Sequence, residues 1–510
     1  MKITADLIEE LIGFGIFHKM INNLDVYLVR NQLIDLLKVD EPSDRAFEAT
    51  YPDYPVEILN KLINQSVKRG IIDDSLSEKD ILDAKIMSLF MPRPSELYNK
   101  YENIRESIGV EAATTYYYNL SKLSNYIKTD RIARNKYWKC ETESGELEIT
   151  INLSKPEKDP KDIAKAGRVL NTNYPKCLLC AENVGYTGHI NHPARSSHRV
   201  IPLKLNGEEW FYQYSPYVYY NEHAIIFKAR HEPMRISRES FVRLTDFVEI
   251  MPHYFIGSNA DLPIVGGSIL SHDHFQGGNH RFPMVDAKVI KEYTNSDFKG
   301  VKISIVDWPM SVIRISGENK EDLVNMASFI LDKWRAYSDK SVGILASSCV
   351  NGEDIPHNTI TPIARKNDNG NFELDLVLRN NRCDEEHPDG IYHPHKHLHH
   401  IKKENIGLIE VMGLAILPPR IEKDLVKLSE VLQGVESLSF VESKMENHFP
   451  WFSSIKNSFN STLTKDEADC VLQKAVASRF SEVLECAGVF KKTDQGFKAF
   501  DKFLKECSCY

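Results

Sequence analysis

The part of the sequence best suited to chemistry lies near the middle of the chain, where residues 266–278 read GGSILSHDHFQGG. His272, His274 and Gln276 occupy alternate positions of this run. In an extended strand, alternate side chains point to the same face. Two imidazoles and an amide would therefore share one face, and the flanking glycines would let a ligand approach the backbone closely. This arrangement favours a reaction at a phosphate group.

His274 is the candidate nucleophile of this run, and Gln276 is its candidate partner. A neutral imidazole is a competent nucleophile near neutral pH, and its adduct with phosphorus is a labile phosphoramidate that suits a two-step transfer. An amide donates to a phosphoryl oxygen without acting as an acid or a base, and it stabilises the charge that develops there. Two plainer interpretations stay open: a buried strand with hydrogen-bonded histidines, and a metal site without catalysis.

The elements that must position this run follow from the spacing of apolar residues. Helical spacing dominates the two ends of the chain, whereas alternating or β-branched patterns dominate the middle. The predicted middle elements are strands at 147–153, 210–214 and 218–227, a helix at 237–250 capped by Ser237, strands within 301–316, a helix at 320–338, and a hairpin with its turn at 367–370. The middle therefore predicts two related α+β halves that lie side by side.

This order predicts an α+β fold with four regions. They are a helical N-terminal region at 1–134, a catalytic half at 135–300 with the His-x-His-x-Gln motif, a second half at 301–418, and a helical C-terminal region at 419–510. Helical spacing in the C-terminal region predicts, for example, a helix at 465–489.

Composition narrows the classes of partner. The 510 residues carry a formal net charge of −9, which argues against nucleic acid because a phosphate backbone requires a concentrated basic face. No apolar run approaches the roughly 20 residues of a membrane span. The first ten residues contain acids and lack the pattern of a signal peptide. The chain has nine cysteines, so at least one would stay unpaired in any set of disulfides. This favours a reducing, cytoplasmic location.

The motif also resembles a known family. His272-Asp273-His274-Phe275-Gln276 is similar to the signature of the galactose-1-phosphate uridylyltransferases, a branch of the histidine-triad superfamily whose hydrolases usually carry a third histidine at the position of Gln276. Residues 221–226, NEHAII, resemble the family's nucleotide-contacting segment, and Cys177-Leu178-Leu179-Cys180 resembles its Cys-x-x-Cys pair. The length and the helical N-terminal region are similar to the longer second class, which is common in Gram-positive bacteria.

This resemblance implies two histidine-triad-like antiparallel halves and a role in galactose metabolism, the Leloir pathway. UMP would pass from UDP-glucose to galactose 1-phosphate by a ping-pong mechanism, giving UDP-galactose and glucose 1-phosphate, with His274 carrying UMP covalently. Asn221 and Glu222 would hold the ribose and uracil, and Asn259 would approach the phosphate. Turn capping is the alternative for Asn221 and Asn259. The resemblance also implies a homodimer and no organic cofactor.

Cys177, Cys180, His231 and His272 form a candidate tetrahedral zinc set. Two thiolates and two imidazoles satisfy a closed structural site, which would hold the strand that carries His274 in place. Two reduced thiols without a metal are the alternative for the Cys-x-x-Cys pair.

The densest histidine cluster, residues 393–400, is harder to interpret. By analogy with the short class of the family, His357, His395 and His397 would form a second metal site. A solvated basic stretch that meets the sugar phosphate is the alternative. Four further cations are candidate phosphate contacts, with surface charge as the default interpretation: Arg131, Arg134, Lys402 and Lys403.

Two other functions remain as alternatives. One is a histidine-triad hydrolase or phosphorylase acting on a nucleotide diphosphate compound, which Gln276 in place of a third histidine disfavours. The other is a non-enzymatic metal-binding protein built on residues 393–400.

Overall fold

A computed structural model describes residues 2–154, 173–267, 269–350 and 352–510. Its α-helices are α1 (Lys2–Phe17), α2 (Val26–Leu36), α3 (Val56–Lys68), α4 (Leu76–Ser88), α5 (Pro94–Ser107), α6 (Val110–Leu123), α7 (Thr129–Ile132), α8 (Arg238–Ile250), α9 (Lys320–Ala336), α10 (Leu408–Val411), α11 (Arg420–Leu432), α12 (Leu438–Lys444), α13 (Phe449–Asn457), α14 (Lys465–Ala487) and α15 (Asp494–Glu506).

The strands are β1 (Lys136–Thr142), β2 (Gly145–Ile151), β3 (Ile201–Leu205), β4 (Glu208–Tyr214), β5 (Ala224–Lys228), β6 (Phe255–Gly257), β7 (His274–Gly278), β8 (Val289–Tyr293), β9 (Lys302–Val306), β10 (Val312–Gly317), β11 (Ser347–Val350), β12 (Glu353–Pro356), β13 (Asn358–Lys366), β14 (Phe372–Asn380) and β15 (Leu414–Leu417). Short 3-10 turns lie at Asn23–Asp25, Ala181–Asn183, Pro283–Asp286, Lys340–Val342 and Lys396–Leu398. The fold is α+β, and the prediction of the fold class is confirmed.

Contacts divide the chain into two compact units. The first comprises residues 1–134, 154–218 and 222–232, and the second comprises 135–153, 219–221 and 233–510. The four regions expected from the sequence stay a prediction. None of the described helices combines the length and the apolar character needed to span a bilayer.

The first unit contains helices α1 to α7 and the antiparallel strands β3, β4 and β5. Helix α1 packs against α2 and α3, and fully buried residues such as Leu11, Phe14 and Leu59 form the core between them. Gly13 lets the Tyr51 ring approach this core closely, because a Cβ at this position would lie 1.8 Å from the Tyr51 hydroxyl. Tertiary packing of apolar faces thus stabilises these helices.

The second unit contains a seven-stranded antiparallel sheet in the order β7, β6, β13, β14, β10, β9, β8. Helices α8 and α9 pack on β13 and on each other. The hairpin predicted at 367–370 joins β13 and β14. The Asn367 side chain accepts hydrogen bonds from the backbone N–H groups of Asn369 and Asn371, and Gly370 adopts a φ of 80°. This turn chemistry fixes the register of the two longest strands.

A second, three-stranded sheet in the same unit has the order β1, β2, β15, with β2 and β15 parallel. The long helix α14 packs against β1 and β2. Its N-terminus is set by Thr464, whose hydroxyl accepts from the backbone N–H of Glu467. The helix predicted over 465–489 is confirmed.

The strand predicted at 218–227 is shorter than expected. Strand β5 begins only at Ala224, because the preceding residues turn and Glu222 adopts a left-handed φ of 54°. Apolar and aromatic residues in this segment imitate a strand pattern, yet their backbone is not extended. The predicted helix at 237–250 is confirmed as α8, with Ser237 at its N-cap position and its N–H donating to the Ser240 hydroxyl.

Candidate active site

The candidate nucleophile His274 begins strand β7 and is 7% exposed. Its Nδ1 lies 2.8 Å from the backbone carbonyl oxygen of His272. Because a carbonyl oxygen only accepts, Nδ1 carries the ring proton and Nε2 keeps its lone pair. Burial lowers the pKa of His274 to about 4, and this outweighs the hydrogen bond to the His272 carbonyl, which acts in the opposite direction. The ring is therefore neutral at physiological pH, as a nucleophile requires.

The alternation predicted around His274 begins later than expected. His274 and Gln276 lie two residues apart in β7, whereas His272 lies in a bend before the strand. The prediction of one strand through all three residues is therefore wrong at its first position. Strand β6 pairs with β7 at positions 276–278.

Phe275, between His274 and Gln276, points to the other face, as a strand requires. Phe275 is fully buried, and the Asp273 carboxylate pairs with the Arg243 guanidinium of α8 at 3.4 Å. Both partners are more than nine-tenths buried. The sequence analysis missed Arg243, although a signal existed: this cation lies on the buried stripe of α8, three residues after Ser240 and four before Phe247.

Gly267, the second glycine of the pair before the motif, lies against Asn259. A Cβ at Gly267 would come within 2.6 Å of Asn259 Nδ2, so only glycine permits this approach. On its other side, Asn259 Oδ1 accepts a hydrogen bond of 2.9 Å from the N–H of Leu408, in the first turn of α10. Asn259 is thus held between two backbone segments and is 6% exposed.

The two candidate nucleotide contacts differ in their settings. Asn221 is exposed, and its Nδ2 donates to the backbone carbonyl of Asn279, the residue that follows β7, at 3.1 Å. Glu222, which belongs to the first unit, is 8% exposed and has the left-handed backbone described above. The contacts of these residues with a nucleotide stay a prediction.

The first unit brings three of the four candidate metal ligands together. The sulfur atoms of Cys177 and Cys180 lie 3.5 Å apart, and Cys180 Sγ lies 3.2 Å from His231 Nδ1. Burial raises the pKa of the Cys180 thiol to about 12, so a bound cation would be needed to hold it as thiolate. Sulfur and imidazole donors fit zinc. His272, the fourth candidate ligand, lies in the second unit and is fully buried.

The described residues do not bring His357, His395 and His397 together as a group of metal ligands. Both ring nitrogens of His357 are hydrogen-bonded, Nδ1 with Asn381 and Nε2 with Ser348, at 2.9 and 2.8 Å. His357 is therefore held by polar side chains within the protein.

Of the four cations predicted as phosphate contacts, two form ion pairs and two are exposed. Arg131 forms a bidentate pair with Asp80 at 2.5 and 3.1 Å. Lys402 is buried and pairs with Glu410 and Glu404. Two cations remain at the surface: Arg134 and Lys403. The default interpretation as surface charge suits Arg134 and Lys403, whereas Arg131 and Lys402 are held in ion pairs within the protein.

Comparison with known proteins shows the family to which the chain belongs. The sequence profile described as galactose-1-phosphate uridyl transferase, N-terminal domain, matches residues 20–233, and the profile of the C-terminal domain matches 246–445. The chain belongs to the galactose-1-phosphate uridyl transferase family. The resemblance seen in residues 272–276 is thus confirmed.

Relatives within the family match nearly the whole chain. The galactose-1-phosphate uridylyltransferase of Caldanaerobacter subterraneus subsp. tengcongensis is 51% identical over 99% of this chain and 98% of its own length. Those of Clostridium acetobutylicum and Bacillus subtilis are 51% and 46% identical, over 98% and 99% of this chain and 98% of each relative. Among solved structures, yeast Ap4A phosphorylase Apa2 matches 66% of this chain and 89% of its own, with 8% identity and a TM-score of 0.29, too distant to bear on the fold.

Proposed function

We propose that this chain transfers UMP reversibly between UDP-glucose and galactose 1-phosphate, in galactose metabolism. The observation that carries the proposal is the buried, neutral His274 ring, whose Nδ1 proton is held by the His272 carbonyl. The family membership supports the same reaction, because the relatives are named galactose-1-phosphate uridylyltransferases.

In the first half-reaction, the lone pair of His274 Nε2 attacks the α-phosphorus of UDP-glucose. The bond from this phosphorus to the bridging oxygen breaks, and glucose 1-phosphate leaves with the electron pair. UMP stays on Nε2 as a phosphoramidate. In the second half-reaction, a phosphate oxygen of galactose 1-phosphate attacks the same phosphorus, UDP-galactose leaves, and the ring is neutral again.

The hydrogen bond to His272 assists both steps. While Nε2 is bonded to phosphorus, the ring carries a positive charge. Because the ring is buried, its Nδ1 proton is not lost to solvent and the charge remains. The Nδ1–H then donates more strongly to the carbonyl, since hydrogen bonds from charged donors are the stronger ones. The carbonyl thus orients the ring and stabilises the intermediate.

The remaining polar groups bind and position the substrates in this proposal. Gln276 donates its amide N–H to a non-bridging phosphoryl oxygen. Asn259, already held by Leu408, presents its Nδ2 toward the phosphate. Asn221 and Glu222 hold the ribose and uracil. Gln276 replaces the third histidine of the hydrolases, so no imidazole stands at this position to activate water.

We further propose that Cys177, Cys180, His231 and His272 hold a structural zinc ion. The proximity of the first three and their donor chemistry support it, and His272 completes the four ligands that a closed site requires. Bound zinc would supply rigidity, not a reaction step. Since the carbonyl of His272 orients the nucleophile, a fixed His272 would fix His274 as well.

Two coarser properties complete the proposal. None of the described cysteines forms a disulfide, which suits the cytoplasm. The family resemblance favours a homodimer, which sedimentation of the purified chain would test; a monomer at working concentration would contradict it.

Isotope exchange tests the mechanism. The wild type should pass label from glucose 1-phosphate into UDP-glucose without galactose 1-phosphate, because the first half-reaction is complete by itself. His274→Ala should abolish this exchange, whereas His387→Ala, a histidine of the second unit held by Asp384, should leave it unchanged. A tryptic peptide containing residue 274 should carry uracil label after a quench in base.

Two results would overturn the proposal. Release of UMP without an acceptor, at the rate of turnover, would favour a hydrolase. Absence of exchange in the wild type, with metal still bound, would favour a non-enzymatic metal-binding protein.

A further inference from the structure

One histidine of the cluster at 393–400 differs from its neighbours. The ring nitrogens of most of the cluster either hydrogen-bond to oxygen acceptors or face solvent. The members with such acceptors are His393, His395 and His399. His397 is exposed. The His400 ring is 6% exposed, yet its Nε2 has no hydrogen-bond partner among the described residues.

A second imidazole from the C-terminal helices meets His400. The ring centroids of His400 and His448 lie 5.2 Å apart, and His448 is 5% exposed. His448 Nε2 lies 3.2 Å from the Asp424 carboxylate, while its Nδ1 is buried and has no partner in the described part of the chain. Both rings line one cavity of about 460 Å³ in the second unit.

His448 shows an arrangement that is typical of metal-binding histidines. In such sites, the ring nitrogen that does not bind the metal donates its N–H to a carboxylate or a backbone carbonyl. The Asp424 carboxylate has this role for His448 Nε2. His448 Nδ1 and His400 Nε2 are buried without a hydrogen-bond partner among the described residues, which is costly unless something binds them.

Protonation suits a metal ligand at this point. Burial lowers the pKa of His400 to about 4, and His448, Arg479 and Arg420 act in the same direction, so the lone pair of its ring is available at neutral pH. The cavity wall carries two carboxylates, Asp424 and Glu446, and two cations, Arg420 and Lys444. Thiolates are absent from this wall, so the cavity differs chemically from the Cys177 group.

We propose that His400 Nε2 and His448 Nδ1 bind one divalent transition-metal ion, with water in the remaining coordination positions. Neutral imidazole selects ions such as Zn²⁺ and Ni²⁺ over Mg²⁺ and Ca²⁺, which prefer oxygen ligands. The ion would join the loop after the histidine cluster to helix α13, which begins next to His448. This site is independent of the transfer reaction proposed above.

Ni²⁺ binding to the full chain tests the site. The protein is first given one equivalent of zinc per chain, which the thiolate-containing group takes up, and is then titrated with Ni²⁺ alone while bound metal is counted per chain. The wild type should bind one Ni²⁺, and His400→Gln and His448→Gln should each weaken this binding at least 10-fold. His399→Gln is the matched control, because the His399 ring is already hydrogen-bonded to the Pro394 carbonyl. This substitution should leave Ni²⁺ binding unchanged.

Trp451 provides a second readout. Its ring centroid lies 5.1 Å from that of His400 and 6.0 Å from that of His448, so bound Ni²⁺ should quench its fluorescence. Trp451→Phe should remove the quenching while the bound metal stays. Circular dichroism and retained uridylyl transfer would verify the folding of each variant.

Failure of the wild type to bind additional Ni²⁺ would overturn the proposal. So would Ni²⁺ binding that survives either substitution.

Discussion

Acidification of the first half-reaction tests the central claim about His274. Because burial lowers the pKa of His274 to about 4, roughly 97% of the ring stays neutral at about pH 5.5. An imidazole with the ordinary pKa of 6.5 would be only about 9% neutral at that pH. The rate of uridylylation should therefore fall by less than about 10% between pH 7.5 and 5.5, instead of about tenfold.

The assay is a single turnover with UDP-glucose and excess enzyme, quenched in base, with the label on protein counted at each pH. UDP-glucose carries no group that titrates in this range, so the pH profile reports the enzyme. His387→Ala serves as the control for general effects of acid on the protein. A rate that falls with a midpoint near 6.5 would refute the assignment of a buried, neutral ring.

The same pKa has a consequence for stability. Unfolding returns the ring to a pKa of 6.5, so the unfolded chain gains a proton as the pH falls while the native chain does not. The difference corresponds to about 3 kcal/mol, which is present above pH 6.5 and is lost as the pH falls towards 4. His274→Gln should therefore show a smaller loss of unfolding free energy than the wild type between these pH values. Equal losses in the two proteins would contradict the burial argument.

Three further predictions concern the surroundings of the nucleophile. Asp273→Asn leaves a buried guanidinium without its carboxylate and should lower the free energy of unfolding in urea by about 3 kcal/mol. Gly267→Ala forces the Asn259 amide to move and should slow transfer on the order of 10-fold, whereas Gly300→Ala, at an exposed and open position, should not. Cys180→Ser should abolish stoichiometric zinc and lower the melting temperature, as metal analysis and calorimetry would show.

Each of these has a clear contrary result. An unchanged urea curve for the Asp273 variant would mean that the ion pair does not stabilise the strand. Equal transfer rates in the two glycine variants would mean that Asn259 moves without consequence. Full zinc content after the Cys180 substitution would exclude this thiol as a ligand.

Local patterns predicted much of the fold. The hairpin at 367–370 was readable because asparagine side chains and a glycine form the turn without help from distant residues. Helices α8 and α14 were readable from their caps and apolar stripes. In the segment before β5, by contrast, aromatic residues are placed by the core that they enter, and the left-handed Glu222 breaks a pattern that resembles a strand.

The sequence predicted which residue types form the candidate site but not how they are arranged. Alternation at 272–276 predicted His274 and Gln276 as site residues, yet it placed His272 in the strand, whereas β7 begins at His274. The contact between Asn259 and Leu408 joins residues 149 positions apart, and no local pattern encodes it. The pairing of Asp273 with Arg243 is likewise a product of tertiary structure.

The pairing of β6 with β13 determines whether the two parts of this enzyme can be produced as separate fragments. Ile256 and Gly257 form ladder partners with Ala364 and Ile363, and on the other side β6 pairs with the strand of His274. Cutting the chain between residues 300 and 301 would separate β6 from β13. The exposed edge of β6 would then have unpaired backbone groups that promote aggregation. Gene fragments encoding either part should yield insoluble product when expressed singly, and co-expression should restore a soluble, active pair.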